Sequence, residues 1–315
     1  MKRYGFGVDI GGTTCKIGLF DEEGILLDKW EIPTNVKNAG ESILDDIAKE
    51  IEVKRAGAGL SKEEILGIGI GVPGPVLPDG TVKRCVNLGW GARNVAEEMF
   101  HKTGLSAYIA NDANAAALGE MWQGGAIGYS DVVMVTLGTG VGGGIVLNGR
   151  ILSGADGAGG ELGHIPVNDN ETESCSCGKK GCLEQYASAT GIVRMAKKRL
   201  ASEHTDTILD VKDQLTAKDI FDAAKAGDDM SLEVVEQLGE ILGTALAAIA
   251  CVINPQIFIL GGGVSKAGEI LLEVTEKNFK SRAFQMCKNT EIALAKLGND
   301  AGIYGGMQLV MAENM

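Results

Sequence analysis

The 315-residue sequence predicts an α/β protein in two lobes, and three observations carry that prediction. Strand-like apolar runs alternate with stretches of helical period. A plan of strand, glycine-rich turn and second strand occurs near residue 10 and again near residue 138. From residue 189 onward the chain reads as mostly helical, with two short strands. Identity between the two copies is low, so the repeat is architectural, a distant internal duplication.

The elements follow in order. Residues 3–10 (RYGFGVDI), 15–20 and 25–32 read as three strands, the last two joined by a DEEG turn, and together they make an antiparallel meander. Within 40–56, Ile43, Leu44, Ile47 and Ile51 share one helical stripe. Residues 65–72 read as a buried strand stopped by the turn signal PGP. Helix 94–103, strand 106–110, helix 112–122 and strand 131–137 follow, and a further strand runs to Leu147. Residues 153–182 are irregular, and a loop of that length is either functional or held by something. Helices 189–202, 216–226 and 229–253, strand 256–260, helix 264–279, strand 291–295 and helix 300–313 complete the chain. Pro255 ends the long helix.

Composition narrows the classes. Apolar residues at 45% and charged residues at 23% fit a globular core rather than disorder. The 46 glycines imply many turns, or many close approaches of backbone to something else. A net charge of −13 repels phosphate backbones and anionic membranes, so nucleic-acid partners are disfavoured. The chain opens MKRYGFGVDIGGTT, which is not a secretion leader, and Ile241–Ile253 reads as too short to span a bilayer. A soluble cytoplasmic protein without a membrane partner is expected. Seven cysteines, an odd count, argue against a disulfide framework. Cys15, Cys85, Cys251 and Cys287 read as buried thiols.

Three glycine-rich turns carry the ligand chemistry. The first, Asp9-Ile10-Gly11-Gly12-Thr13-Thr14, lies between two strands, which excludes a Rossmann or P-loop motif. Its N–H groups and hydroxyls suit a phosphate, with Asp9 near a metal ion and Lys16 just beyond; the plain alternative is a hairpin turn. The second, Gly138-Thr139-Gly140-Val141-Gly142-Gly143-Gly144, holds five glycines in seven residues, more than a hairpin needs. The third, Gly261-Gly262-Gly263, follows a strand and opens a helix, a geometry that suits phosphate. Three such turns in one chain point to a nucleoside triphosphate.

Asn111-Asp112-Ala113-Asn114 stands where a strand passes into a helix. Helix capping needs one such side chain, and three occur in four positions. A carboxylate here suits the base that takes a proton from a hydroxyl attacking phosphorus. The GVPGP turn, with Gly74, and Asn87 offer polar groups for a sugar. Cys175, Cys177 and Cys182, with His164 upstream, make a Cys3His set that suits structural zinc; a redox pair or inert thiols are the alternatives. His101 and His204 read as solvated residues on polar helical faces.

Together these residues resemble the ROK family of sugar kinases and repressors, within the actin/hexokinase-like superfamily. The likeness covers essentially the whole chain. It rests on DIGGT at 9–13, the turns 138–144 and 261–263, and ELGH at 161–164 followed by CxCGxxGCxE at 175–184. The resemblance implies a duplicated, ribonuclease H-like fold with a ligand cleft between lobes. It implies a small lobe of 1–110 plus 299–315, and a large lobe of 111–298 with the zinc loop. It implies Asp112 as catalytic base, and Gly74, Asn87, Asn111, Glu161, His164 and Glu184 around a sugar. Asp9, Gly11, Gly12, Thr13, Thr14, Lys16, Gly138, Thr139, Gly140, Gly261, Gly262 and Gly263 would hold ATP with Mg²⁺. Zn²⁺ would sit on His164, Cys175, Cys177 and Cys182. The expected activity is ATP-dependent phosphorylation of a hexose, with glucose foremost, in a homodimer or homotetramer. Kinases for fructose, N-acetylmannosamine or N-acetylglucosamine remain open, as does a sugar-sensing regulator. A repressor carries a DNA-binding domain before the first motif, where this chain has eight residues, and a sensor would be expected to lose the base.

Overall fold

The computed structural model describes residues 3–202, 207–209 and 214–314. Twelve strands are described: β1 (Tyr4–Ile10), β2 (Thr14–Asp21), β3 (Leu26–Pro33), β4 (Ile65–Val72), β5 (Thr81–Val82), β6 (Arg93–Asn94), β7 (Ala107–Asn111), β8 (Val132–Leu137), β9 (Val141–Leu147), β10 (Arg150–Ile151), β11 (Ile257–Gly261) and β12 (Glu291–Leu294). One five-stranded sheet has the order β3-β2-β1-β4-β7, and the other has the order β10-β9-β8-β11-β12. The two orders correspond strand for strand, which is the duplication expected from the repeated strand–turn–strand plan. In the first sheet β1, β2 and β3 pair antiparallel, while β4 and β7 run parallel to β1. In the second, β8, β11 and β12 are parallel neighbours.

Burial tracks position in the sheet. β3 alternates half-buried and exposed residues, as an outer strand with one wet face does. β1 and β4 are central and almost continuously buried. The β1–β2 register sets Asp9 opposite Lys16, at the turn end of the hairpin.

By packing, the chain divides into two units. One is Met1–Asp131, Gly144–Gly160 and Lys296–Met315; the other is Val132–Gly143 and Glu161–Ala295. The boundary expected at residue 110 runs through the first unit. Helix Asp112–Gln123 belongs there because it is packed, backbone against backbone, on helix Ala301–Ala312. A Cβ on Gly305 would lie 1.7 Å from the carbonyl oxygen of Ala115, and one on Gly119 would lie 2.2 Å from that of Ala301. Gly7 and Gly69 meet the same final helix at the carbonyls of Ile303 and Gly306, at 1.9 and 1.7 Å. Part of the glycine content therefore serves close helix–helix and helix–sheet contact, beside the many glycines at positive φ in turns.

In the second unit, helix Asp229–Ile253 packs on helix Glu269–Arg282, with Gly239 against Val274 and Gly243 against Phe279. The stretch 241–253 is thus the second half of a 25-residue helix, long and apolar enough by length and composition to cross a membrane. Val234, Leu238, Leu242, Leu246 and Ile249 are buried in the protein, the stripe of a core helix.

Two expectations change at the third glycine turn and the thiols. Residues 264–267 form a 3₁₀ turn, and Gly268, at φ 77° and ψ −136°, breaks the chain before the α-helix starts at Glu269. The dipole of a long helix does not point at Gly261–Gly263. Cys15, Cys85 and Cys287 are buried, whereas Cys251 is exposed. His101 is exposed, as expected, and His204 lies outside the described residues.

Candidate active site

In the first unit the site grows from the junction of β7 with helix Asp112–Gln123. Asn111 caps the helix: its Oδ1 accepts from the N–H groups of Ala113 and Asn114, at 3.0 and 3.2 Å. Its Nδ2 donates to the Gly74 carbonyl at 3.2 Å, which fixes the GVPGP turn beside it. Asn114 is buried, and its Oδ1 accepts the Ile145 N–H at 3.2 Å. Both amides bond to the scaffold; Asp112, half-buried like Asn111, has its Oδ1 accepting the Ala113 N–H at 2.8 Å.

Asp9 closes β1. It is packed on Gly302, where a Cβ would stand 2.6 Å from its carboxyl carbon. Burial pushes the Asp9 carboxyl up to about 6; Lys16 opposes the shift and the charge of Asp112 adds to it. Burial, with Asp112 as a further cause, also raises the Cys85 thiol, which accepts hydrogen bonds from the backbone at Leu88 and Asn87. Asp9, Asp112 and the exposed one-turn segment carrying Asn87 thus form one electrostatic neighbourhood. Lys16 reaches the Asn299 carbonyl at 3.0 Å.

The first glycine turn is held from below. The Gly11 N–H donates to the Thr14 carbonyl at 2.9 Å, and Gly12 has open space above it. Thr34 donates its hydroxyl to the Gly11 carbonyl at 2.7 Å and its N–H to the Thr13 carbonyl at 2.9 Å. Sequence reasoning missed Thr34. The signal lay in its place: it follows Pro33, which the β2–β3 register pairs with Thr14.

In the second unit, the Gly138 N–H donates to the Gly140 carbonyl at 2.9 Å and closes the hairpin. Gly138 faces open space, with its nearest foreign atom 3.9 Å from a built Cβ. Gly140 does not: a Cβ there would lie 2.2 Å from Glu184 Oε2, which accepts the Val141 N–H at 3.1 Å. This glycine makes room for a carboxylate. Glu184 Oε1 accepts the Ser176 hydroxyl at 2.9 Å. Glu161 and His164 flank the 3₁₀ turn Leu162–His164, with Glu161 Oε2 4.0 Å from His164 Nε2. Gly262, at φ 83°, fits against the Leu137 backbone, and Gly263 borders a cavity of about 340 Å³ with Ala189, Phe221 and Lys218.

The thiols of Cys175, Cys177 and Cys182 converge with His164, and their ligand atoms all lie within 4.8 Å of one another. Cys177 Sγ is 3.6 Å from Cys182 Sγ, and Cys175 Sγ is 3.8 Å from His164 Nδ1. Zinc–sulfur bonds of about 2.3 Å at tetrahedral angles place sulfurs about 3.8 Å apart, so the donor set fits zinc in type, number and spacing. The His164 ring offers Nδ1 to the thiols and Nε2 to Glu161. Burial pushes the Cys182 thiol up to about 12, while the backbone N–H of Lys179 holds Cys177 below the usual thiol range. A metal here displaces a strongly held proton, so occupancy falls at low pH.

The ROK family model matches residues 5–313. The chain is 44% identical over 314 residues to the glucokinase of Halalkalibacterium halodurans, covering 98% of this chain and 95% of that one. A ROK family glucokinase from Streptomyces griseus, solved with glucose and AMPPNP, superposes at a TM-score of 0.76 with 34% identity, covering 97% and 98% of the two chains. A ROK family transcriptional regulator, homologous to the E. coli MLC protein, superposes at 0.85 with 27% identity, covering 98% of this chain and 78% of that one.

Proposed function

The chain belongs to the ROK family, and we infer that it is an ATP-dependent hexose kinase that phosphorylates glucose. Full-length likeness to glucokinases supports the activity. The observation in the chain itself that carries it is Asp112, a half-buried carboxylate at the start of helix Asp112–Gln123, beside the capping Asn111.

In this reading Asp112 accepts the proton of the sugar 6-hydroxyl as that oxygen bonds to the γ-phosphorus of ATP; ADP leaves and sugar 6-phosphate remains. Asn87, Asn111 and Gly74 of the first unit, and Glu161, His164 and Glu184 of the second, are the residues proposed to bind sugar hydroxyls. The backbone N–H groups of the turns Gly11–Thr14 and Gly138–Gly140 are the candidates for phosphate, and the cavity beside Gly263 is the candidate for adenosine. Asp9 and Asp112 share one neighbourhood opposed by Lys16, and a divalent cation would relieve that repulsion. Mg²⁺, when bound with ATP, supplies charge neutralisation at the phosphates. His164, Cys175, Cys177 and Cys182 would hold a structural Zn²⁺, and a metal on the thiolate side of the His164 ring would leave Nε2 to face Glu161.

A coupled assay for ADP release with glucose tests the class, and a panel of hexoses and N-acetylhexosamines ranked by kcat/KM tests the sugar. Asp112→Asn keeps the shape and cannot take the proton, so kcat is expected to fall by about 10²–10⁴ with glucose binding retained. Near-normal kcat in a folded Asp112→Asn protein removes Asp112 from this role.

A further inference from the structure

The loop that carries the thiolates contains a second device, built from residues that hold no metal and touch no substrate in the reading above. Glu171 lies in this polar loop, yet its side chain is only 5% exposed. Its Oε1 accepts the N–H groups of Thr172 and Glu173, at 2.9 and 3.0 Å. Its Oε2 accepts the Tyr186 hydroxyl at 2.6 Å and pairs with Arg194 Nη2 at 2.8 Å. Burial opposes this charge, but Arg194, Tyr186 and the Glu173 N–H outweigh it and hold the carboxyl well below the usual carboxylate range.

Lys198 Nζ also stands 3.7 Å from Oε1, and two partners of the carboxylate, Arg194 and Tyr186, bear on the turn Glu184–Ala187. Arg194 Nη2 also donates to the Gln185 carbonyl at 2.9 Å, and its guanidinium lies over the Tyr186 ring at 5.1 Å. The Tyr186 hydroxyl accepts from Asn168 Nδ2 at 2.7 Å. Gln185 returns the contact, donating from Nε2 to the Glu173 carbonyl at 3.0 Å and accepting the Cys182 N–H at 3.1 Å. Segment 168–173 and the turn after Cys182 are therefore tied together by charge-assisted bonds. A buried charge gripped this way resists displacement, because removing either partner strands the other.

We propose that Glu171 is a positioning residue for sugar recognition: gripped by Arg194 and Tyr186, it holds the Glu184–Ala187 turn so that the Glu184 carboxylate is presented to the sugar. The proposal rests on the reading that Glu184 binds the sugar. Zinc would orient His164, and the clamp adds a hold on the Glu184 turn beyond the contact of Cys175 Sγ with Glu184 Oε1 at 3.6 Å. Loss of the clamp is expected to leave the metal in place.

The test uses the full chain in steady-state kinetics with glucose and ATP varied separately, beside zinc measured by elemental analysis. Glu171→Gln keeps the acceptor for the loop amides and removes the charge that Arg194 needs. Its KM for glucose is expected to rise about tenfold, with kcat and the KM for ATP within about twofold and about one zinc per chain retained. Tyr186→Phe removes one hydroxyl and is expected to raise the KM for glucose about threefold. Glu184→Gln serves as the control for the underlying reading. An unchanged glucose KM in Glu184→Gln defeats that reading. A raised KM in Glu184→Gln beside an unchanged KM in Glu171→Gln defeats the clamp. Loss of zinc from Glu171→Gln along with glucose affinity also defeats it, since the residue would then act through the metal. Should Glu171→Gln fail to fold, Tyr186→Phe decides: an unchanged glucose KM overturns the proposal.

Discussion

Asp112 and Glu184 are two carboxylates positioned by opposite means. Asp112 stands on a helix whose backbone touches the backbone of the final helix, with glycines at the crossing and carbonyls where side chains would otherwise be. The contact surface itself is backbone, with the carboxylates of Glu120 and Asp9 beside it. Glu184 stands on a short turn held by thiols, an imidazole, a buried carboxylate and a guanidinium. That scaffold has chemistry of its own. The first region should respond to mutation as a core does, by steric volume. The second should respond to metal, to pH and to single polar groups, and should lose sugar recognition while the rest of the fold stands.

The largest effect that would sharpen the contrast is at the thiols. Cys177→Ala leaves three donors of four, and affinity for zinc falls steeply. Native protein is expected to hold about one zinc per chain. The variant should hold little, bind glucose at least about tenfold more weakly by calorimetry, and keep its ATP affinity, since the metal orients His164 and not the phosphate turns. Zinc-free native protein that phosphorylates glucose normally would break the contrast, because the loop would then need no metal.

A smaller effect separates two glycines in one turn. Gly138 faces open space, so Gly138→Val places its bulk where phosphate would approach and should raise the KM for ATP with glucose affinity little changed. Gly140→Ala puts a methyl 2.2 Å from Glu184 Oε2, so the carboxylate must move. Its KM for glucose should rise roughly fivefold to tenfold, on the scale of one lost hydrogen bond to a charged group. Equal glucose affinities in the two variants would refute the idea that Gly140 exists to admit Glu184.

Much of this was legible in the sequence, for stated physical reasons. Period and punctuation marked β4 at 65–72 and helix 229–253 at their observed limits, because long apolar runs with Pro or Gly near their ends leave little choice, and helical period alone marked helix 189–202. The Cys3His set was legible because ligand chemistry is local in spacing. The roles of Gly119, Gly140 and Gly305 were not, because close approach involves a partner far along the chain that spacing does not reveal. The same holds for Thr34, Glu171 and Arg194, whose types are ordinary at the surface and whose meaning lies in what the fold brings to them. The break at Gly268 was hidden inside an apolar pattern that continues across it.

The smallest effect returns to the first region and concerns Asp9, a carboxyl that burial perturbs there. Burial raises Asp9 from 3.8 to about 6, with Asp112 adding to the shift and Lys16 opposing it. A carboxyl raised on folding stabilises the fold fully only below its unfolded value, and that contribution is lost as pH rises through the folded value. Native protein free of metal and nucleotide therefore carries a deficit that develops between about pH 4 and 6 and stays constant above. Asp9→Asn mimics the protonated form and titrates nowhere. Its Tm should nearly match that of the native protein at pH 4 and exceed it by several degrees at pH 7.5, since the full shift corresponds to at most about 3 kcal/mol. Comparing the two proteins at each pH cancels every other titrating group, the thiols included. A variant that is less stable than the native protein at pH 7.5, or a difference that does not change with pH, would mean that Asp9 is at ease where it lies. The first region would then hold no stored electrostatic strain for a bound cation to relieve.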